Sequence, residues 1–218
     1  MKLRELDVFV TAPPSPGWGG RYWILVKVTT DDGIVGWGEC YASSVGPKAM
    51  HAVINDVFER HMMGESPENI EIMFRRVYSS GYTQRPDLTV MGAFSGLEIA
   101  CWDILGKARN RPVHALIGGL VNERIRAYTY LYPLPQHDFA KFWSSPEMAA
   151  EAALDCAERG YTAIKFDPAG PYTLRGGHMP AMRDIVMSVT FCKAIRAAVG
   201  NKVDLLFGTH GQFQLPVP

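Results

Sequence analysis

The sequence predicts an α+β domain over residues 1–120, followed by the opening of a parallel α/β domain over residues 121–218. Three observations carry this reading. Residues 22–30 (YWILVKVTT) and the later run IVGWGE are rich in β-branched and aromatic residues and flank Asp31-Asp32-Gly33, a hairpin signal. Between Pro47 and Ala108, apolar residues recur at helical spacing. Beyond Gly118-Gly119, strand-like runs alternate with helix-length segments, which requires parallel pairing and crossover connections.

The elements follow in order. Residues 2–11 alternate and open an antiparallel sheet, before a loop containing Pro13, Pro14, Pro16, Gly17, Gly19 and Gly20. Met50, Val53, Ile54, Val57, Phe58 and His61 fall on one helical face. Ser66-Pro67-Glu68 has the chemistry of a helix start, with Ile70, Met73, Phe74, Val77 and Tyr78 as the apolar stripe. A third helix, from about Thr89 to Ala108 and ended by Pro112, carries Gly92, Ala93, Ser95 and Gly96, small enough to admit another backbone. The second domain reads as a strand over 124–131, a helix from Pro146 to Arg159, preceded by Ser145 and stopped by Gly160, and a strand over 161–167. A helix over 182–199, with Ile185, Val186, Val189, Ile195 and Val199 in register, and a strand over 202–207 complete it.

Composition sets the class. The chain has 218 residues, 22 Lys+Arg against 22 Asp+Glu, 47% hydrophobic and 20% charged residues, ordinary for a soluble globular protein. Zero net charge and no basic block argue against a nucleic-acid partner. No run approaches the roughly 18 apolar residues that span a bilayer, and the N-terminus lacks the apolar core of a signal peptide. Cys40, Cys101, Cys156 and Cys192 are widely spaced, which suggests buried thiols in a reducing, cytoplasmic setting.

Three parallel strands open either a doubly wound sheet or a (β/α) barrel. The missing GxGxxG weakens the first, and a barrel needs about 250 residues. The sequence is therefore expected to hold an incomplete barrel, whose open edge is covered by further chain, a partner or a second copy in a homo-oligomer.

Period-two geometry sorts the polar groups. Thr162, Ile164 and Phe166 share one strand face and should meet helices, leaving Ala163, Lys165 and Asp167 inward. In the third strand Val203, Leu205 and Phe207 should face helices, with Leu206, Gly208 and His210 inward. Lys165, Asp167 and His210 then converge at the C-terminal mouth, where barrel enzymes keep their chemistry. A structural Lys–Asp pair with a hydrogen-bonded histidine accounts for this spacing equally well.

The stretch AFSGLEIACWDILGK (93–107), Pro112-Val113 and Leu116-Ile117-Gly118-Gly119 resembles the signature of the mandelate racemase and muconate lactonizing enzyme group of the enolase superfamily. Gly36-Trp37-Gly38-Glu39-Cys40 is similar to that group's N-terminal hairpin, and Lys165-Phe166-Asp167 to its K-x-[KDHN] element. The resemblance implies an α+β capping domain followed by the first three β/α units of a TIM-type barrel. It also implies removal of a proton α to a carboxylate by a Lys or His base, with Mg²⁺ stabilising the enediolate. Lys165 takes the place near the substrate carboxylate or beside a base. Asp167 stands where a lysine would mark a racemase. Gly208 stands where the first metal carboxylate is expected and has no ligand to offer. His210 is either a metal ligand or, preferably, the acid that protonates a leaving hydroxide, because Mg²⁺ prefers oxygen. The remaining metal ligands and an opposite-face base are expected on later strands. Trp18, Arg21 and Ser43 lie in the loops 12–21 and 41–46, where the group shapes specificity. His51, His61, His114, His137 and His178 form no ligand cluster by spacing, and Asp103–Lys107 reads as an i,i+4 pair.

The implied function is a Mg²⁺-dependent dehydratase of an aldonate or aldarate. The alternatives are a racemase, epimerase or cycloisomerase of the same superfamily, and an inactive fragment serving only as an assembly or interaction unit.

Overall fold

The computed structural model describes residues 1–14, 20–41, 44–167 and 181–208. The chain divides into two compact units, Met1–Glu123 and Arg124–Pro218.

The first unit is built on an antiparallel sheet of β1 (Leu3–Thr11), β2 (Trp23–Thr30) and β3 (Val35–Cys40), in that order. Its β2–β3 turn depends on Gly33 at φ 84°, in the left-handed region, with the Ile34 N–H donating to Thr30 Oγ1 at 2.9 Å. Alternation puts Ile24, Val26 and Val28 on the buried face, opposite Cys40, Gly38 and Gly36 of β3. Helices α1 (Pro47–His61), α2 (Ile70–Ser80) and α3 (Leu88–Ala108) follow, then the short α4 (Val113–Leu116). Met50, Ile54, Met73, Phe94, Leu97 and Ile104 are among the residues that close one apolar core with the sheet.

Helix α3 is the centre of this unit. The Asp87 carboxylate caps it, accepting from the N–H groups of Thr89 at 2.9 Å and Val90 at 3.1 Å. It is long and apolar enough to cross a membrane by length and composition, but Ala93, Phe94, Leu97, Ala100, Cys101 and Ile104 are buried within the unit, as in a core helix. It meets β3 backbone to backbone. A methyl group on Gly36 would overlap Ala100 O, one on Gly38 would overlap Gly96 O, and one on Gly96 would overlap Cys40 Sγ. At Gly92 the nearest obstacle, Tyr41 O, would lie at 2.6 Å. Ser95, expected to share this contact, is exposed, so Gly92 and Gly96 make the approach without it.

Asp103 and Lys107 do more than pair with each other. Asp103 Oδ2 accepts from Lys107 Nζ at 2.7 Å and from the Trp37 N–H at 2.9 Å, while Lys107 Nζ also donates to Val35 O at 2.8 Å. Two side chains of α3 thereby occupy backbone groups along the free edge of β3, the type of edge that otherwise invites pairing.

The second unit holds β4 (Thr129–Tyr130), α5 (Phe139–Phe142), α6 (Pro146–Glu158), β5 (Ala163–Phe166), α7 (Met182–Val199) and β6 (Asp204–Phe207). Its sheet is parallel, in the order β4-β5-β6. Ser145 caps α6 by accepting from the Met148 N–H, and Gly160 leaves it at φ 92°. Ile164 and Phe166 are buried in one cluster with Ala149, Ala152 and Ala153 of α6 and Phe191 and Ile195 of α7. At the N-terminal ends of the strands, Arg126 donates to Thr162 Oγ1 at 2.7 Å and Asp204 Oδ2 at 2.7 Å.

Several boundaries depart from the sequence reading. Helix α2 starts at Ile70, because Ser66 Oγ accepts from the Glu68 N–H and closes a separate turn. Pro112 does not stop α3, which ends at Ala108; it precedes α4. The strand predicted over 124–131 shrinks to two residues, its ladder beginning at Thr129 opposite Ile164 and leaving Ile125 87% exposed. Val186 and Val189 are exposed on α7, whose buried face runs through Ser188, Phe191, Ile195 and Val199. Phe207 touches the Phe166 ring but is 56% exposed, since β6 is the edge of the described sheet. All four cysteines are free, and burial pushes the Cys40 and Cys101 thiols up to about 12.

Two outcomes follow from this packing. Gly96→Ala should lower unfolding stability in urea by about 3 kcal/mol or more, as overpacking against the Cys40 Sγ and the backbone behind it does, whereas Ser95→Ala should stay within about 0.5 kcal/mol; equal midpoints would contradict the close approach. In the second unit, Glu151 is held below the usual glutamate range, first by its hydrogen bond from His137 Nε2 at 3.0 Å and then by Gln136. A depressed carboxylate stabilises the fold above its unfolded pKa and loses that contribution as pH falls through its folded pKa. Glu151→Gln should therefore lose less thermal midpoint than wild type on acidification below about pH 4.3, the ordinary glutamate value; identical acid profiles would contradict it.

Candidate active site

The parallel sheet sorts its side chains into two faces. Leu131, Ile164, Phe166 and Leu205 belong to the apolar cluster that includes the helices of the second unit. Tyr130, Lys165 and Leu206 are direct partners across the three strands and leave from the opposite face. One step further along the same face come Tyr132, Asp167 and Gly208. The ladder reaches that far, because the Gly208 N–H donates to Phe166 O at 2.9 Å and the Leu131 N–H to Lys165 O at 2.8 Å.

Lys165 is half-buried, and its Nζ lies 6.0 Å from the centroid of the Tyr130 ring. The Tyr130 and Tyr132 rings pack together with centroids 5.2 Å apart. Asp167, also half-buried, follows β5 at its C-terminal end. Chemically, this face offers one ammonium, one carboxylate and two phenol rings at the end of the sheet where parallel α/β proteins bind ligands.

The other predicted residues are placed as follows. Arg21 is exposed just before β2. Trp18, Ser43, His178 and His210 lie outside the described residues. Tyr130 and Tyr132 escape the sequence reading, which sorts the faces of the second and third parallel strands only. Their signal is the run Tyr128-Thr129-Tyr130-Leu131-Tyr132, whose period of two sets both rings on the face opposite Leu131.

His137 is a positioning group of the loop after β4. Its Nδ1 accepts from the Leu134 N–H at 3.2 Å, its Nε2 donates to Glu151, and its ring stacks on Phe142 with centroids 5.8 Å apart.

A Mg²⁺ ion needs an octahedron of oxygen ligands, usually anchored by carboxylates. Among the described residues, no group of three His, Cys, Asp or Glu side chains could hold a metal. Gly208, at the expected place of the first ligand, contributes no side chain, which leaves Asp167 as the one carboxylate among the described residues at this end of β5 and β6. The described residues therefore do not fit Mg²⁺ by themselves.

Comparison with known proteins supplies the family. Residues 18–118 match the mandelate racemase / muconate lactonizing enzyme N-terminal domain. A solved mandelate racemase/muconate lactonizing enzyme from Sulfitobacter sp. is 81% identical, with a TM-score of 0.93 over 98% of this chain and 54% of that one. One from Jannaschia sp. CCS1 is 69% identical, also at a TM-score of 0.93, over 98% of this chain and 55% of that one. Among curated relatives, the D-galactonate dehydratase of Xanthomonas axonopodis pv. citri (strain 306) is 27% identical over all of this chain and 50% of its own length. The chain spans about half the length of the relatives it matches. Its α+β first unit is thus the N-terminal capping domain of the mandelate racemase / muconate lactonizing enzyme family, and the chain as a whole is similar to solved structures of that name.

Proposed function

We propose that the chain is part of a dehydratase that removes the proton α to the carboxylate of a sugar acid and eliminates the β-hydroxyl as water. The observation that carries this reading is Lys165 on the face of β5 turned away from the helices, with Asp167 two residues on. The relatives named D-galactonate dehydratase support the acid-sugar class.

The physical difficulty of the reaction is charge. An α proton of a carboxylate is hardly acidic, so negative charge accumulating on the carboxylate oxygens must be met by fixed positive groups in a water-poor site. The Lys165 ammonium supplies one, with three N–H donors. Asp167 is acceptor-only when ionised and cannot serve as the ammonium base that a lysine there would provide, which favours elimination over two-base racemisation. The α proton is proposed to pass to a base on a later strand, and His210 to give its proton to the departing hydroxyl. The enol left behind takes a proton at carbon and becomes a 2-keto-3-deoxy acid. Mg²⁺, when bound, would neutralise enediolate charge; its ligands are not assembled by the described residues. Trp18, Arg21 and Ser43 are proposed to contact substrate. An isomerase is the second reading, favoured by solved relatives named mandelate racemase/muconate lactonizing enzyme.

The test is product analysis with the length-complete protein, Mg²⁺ and a panel of aldonates and aldarates in D₂O. Dehydration yields a semicarbazide-reactive keto acid, and Lys165→Ala should cut kcat/KM by about 100-fold or more. Deuterium uptake without keto product would replace dehydratase by isomerase, and a Lys165→Ala enzyme of full activity would remove Lys165 from the reaction.

A further inference from the structure

We propose that Tyr130 is a positioning residue for the Lys165 ammonium and, through it, for the carboxylate of an acid substrate. This deepens the function proposed above and rests on it. Tyr130 and Lys165 are direct partners in the parallel ladder, and Leu206 is the partner of Lys165 on its other side. The lysine stem therefore runs between an aromatic ring and a leucine. Its Nζ lies 6.0 Å from the ring centroid, within the reach at which a ring quadrupole attracts a cation. The Leu131 N–H bond to Lys165 O, 2.8 Å, fixes the spacing of the two strands, and the Tyr132 ring backs the Tyr130 ring at 5.2 Å.

The chemistry of such a partner differs from that of a carboxylate. A carboxylate would neutralise the ammonium and compete with an anionic substrate. An aromatic face attracts the cation but accepts no strong N–H bond, so the donors stay available to oxygen acceptors. It also restricts a long, rotamer-rich side chain before substrate arrives, lowering the ordering cost of binding. The ring face carries this effect rather than the phenol, so Phe should replace Tyr130 and an aliphatic residue should not.

Two arms test this. In the 218-residue chain, lysines are reductively ¹³C-methylated and the Lys165 signal, assigned with Lys165→Arg, is compared in wild type, Tyr130→Phe and Tyr130→Leu. The Lys165 methyls should be shifted upfield by the ring in wild type and Tyr130→Phe and should return to the bulk lysine position in Tyr130→Leu. Tyr130→Met serves in the same comparison if the leucine variant does not fold. In the length-complete protein, with D-galactonate and the same acid-sugar panel, Tyr130→Leu should raise KM about three- to thirtyfold while kcat changes little, and Tyr130→Phe should restore KM. A Lys165 signal at the same position in all variants overturns the pairing, and an unchanged KM with the ring shift lost overturns the positioning role. Absence of turnover on every acid sugar would sink the proposed function and the substrate half of this inference, while the methyl shift still decides whether Tyr130 holds Lys165.

Discussion

The first unit depends on an approach of helix to strand that leaves no room for a Cβ at four glycines. Gly36 and Gly38 of β3 and Gly92 and Gly96 of α3 let a helix and a strand approach until backbone carbonyls, and at Gly96 the Cys40 Sγ, occupy the space a Cβ would need. Interiors are packed as densely as organic crystals, so one methyl at such a point cannot be absorbed by neighbours. The close approach has a second consequence. It brings Asp103 and Lys107 within hydrogen-bond distance of the β3 backbone, so the edge of the sheet is satisfied by the helix that lies on it.

The second unit follows a different rule. A parallel strand with one face under helices has its other face free for chemistry, and a period of two makes the separation strict. Ile164 and Phe166 belong to the core, while Lys165 is left on the opposite side beside Tyr130. The Arg126 contacts tie the N-terminal ends of the strands, so an ion pair and a hydroxyl contact sit at one end of the sheet and the candidate chemistry at the other. A rigid ladder then fixes which side chains can act together, which a loop-borne site would not do as well.

Much of this is legible in the sequence, and the exceptions have physical causes. The hairpin around Asp31-Asp32-Gly33 and the caps at Ser145 and Gly160 act through local geometry, and local geometry can be read locally. The glycines of the third helix announce a close approach, but not its partner strand, because that contact joins residues far apart in the chain. Asp103 and Lys107 look like an ordinary helical pair for the same reason. Val186 and Val189 mislead because a helix with apolar residues on several faces has no unique stripe; packing on Phe166 selects the face that holds Phe191. Alternation finds Lys165 and Asp167, and the same alternation marks Tyr130; that Tyr130 is the partner of Lys165 is set by the register of β4 on β5.

The proposed dehydration requires the face of the parallel sheet bearing Lys165 to receive the carboxylate of an acid substrate. An experimental structure of the length-complete protein with an unreactive hydroxamate analogue of a sugar acid tests it most directly. The analogue's acid-mimicking oxygens should lie within about 3 Å of Lys165 Nζ, with the Tyr130 ring flanking the lysine stem. An analogue bound away from Lys165, with the lysine engaged only by protein groups, would contradict the claim.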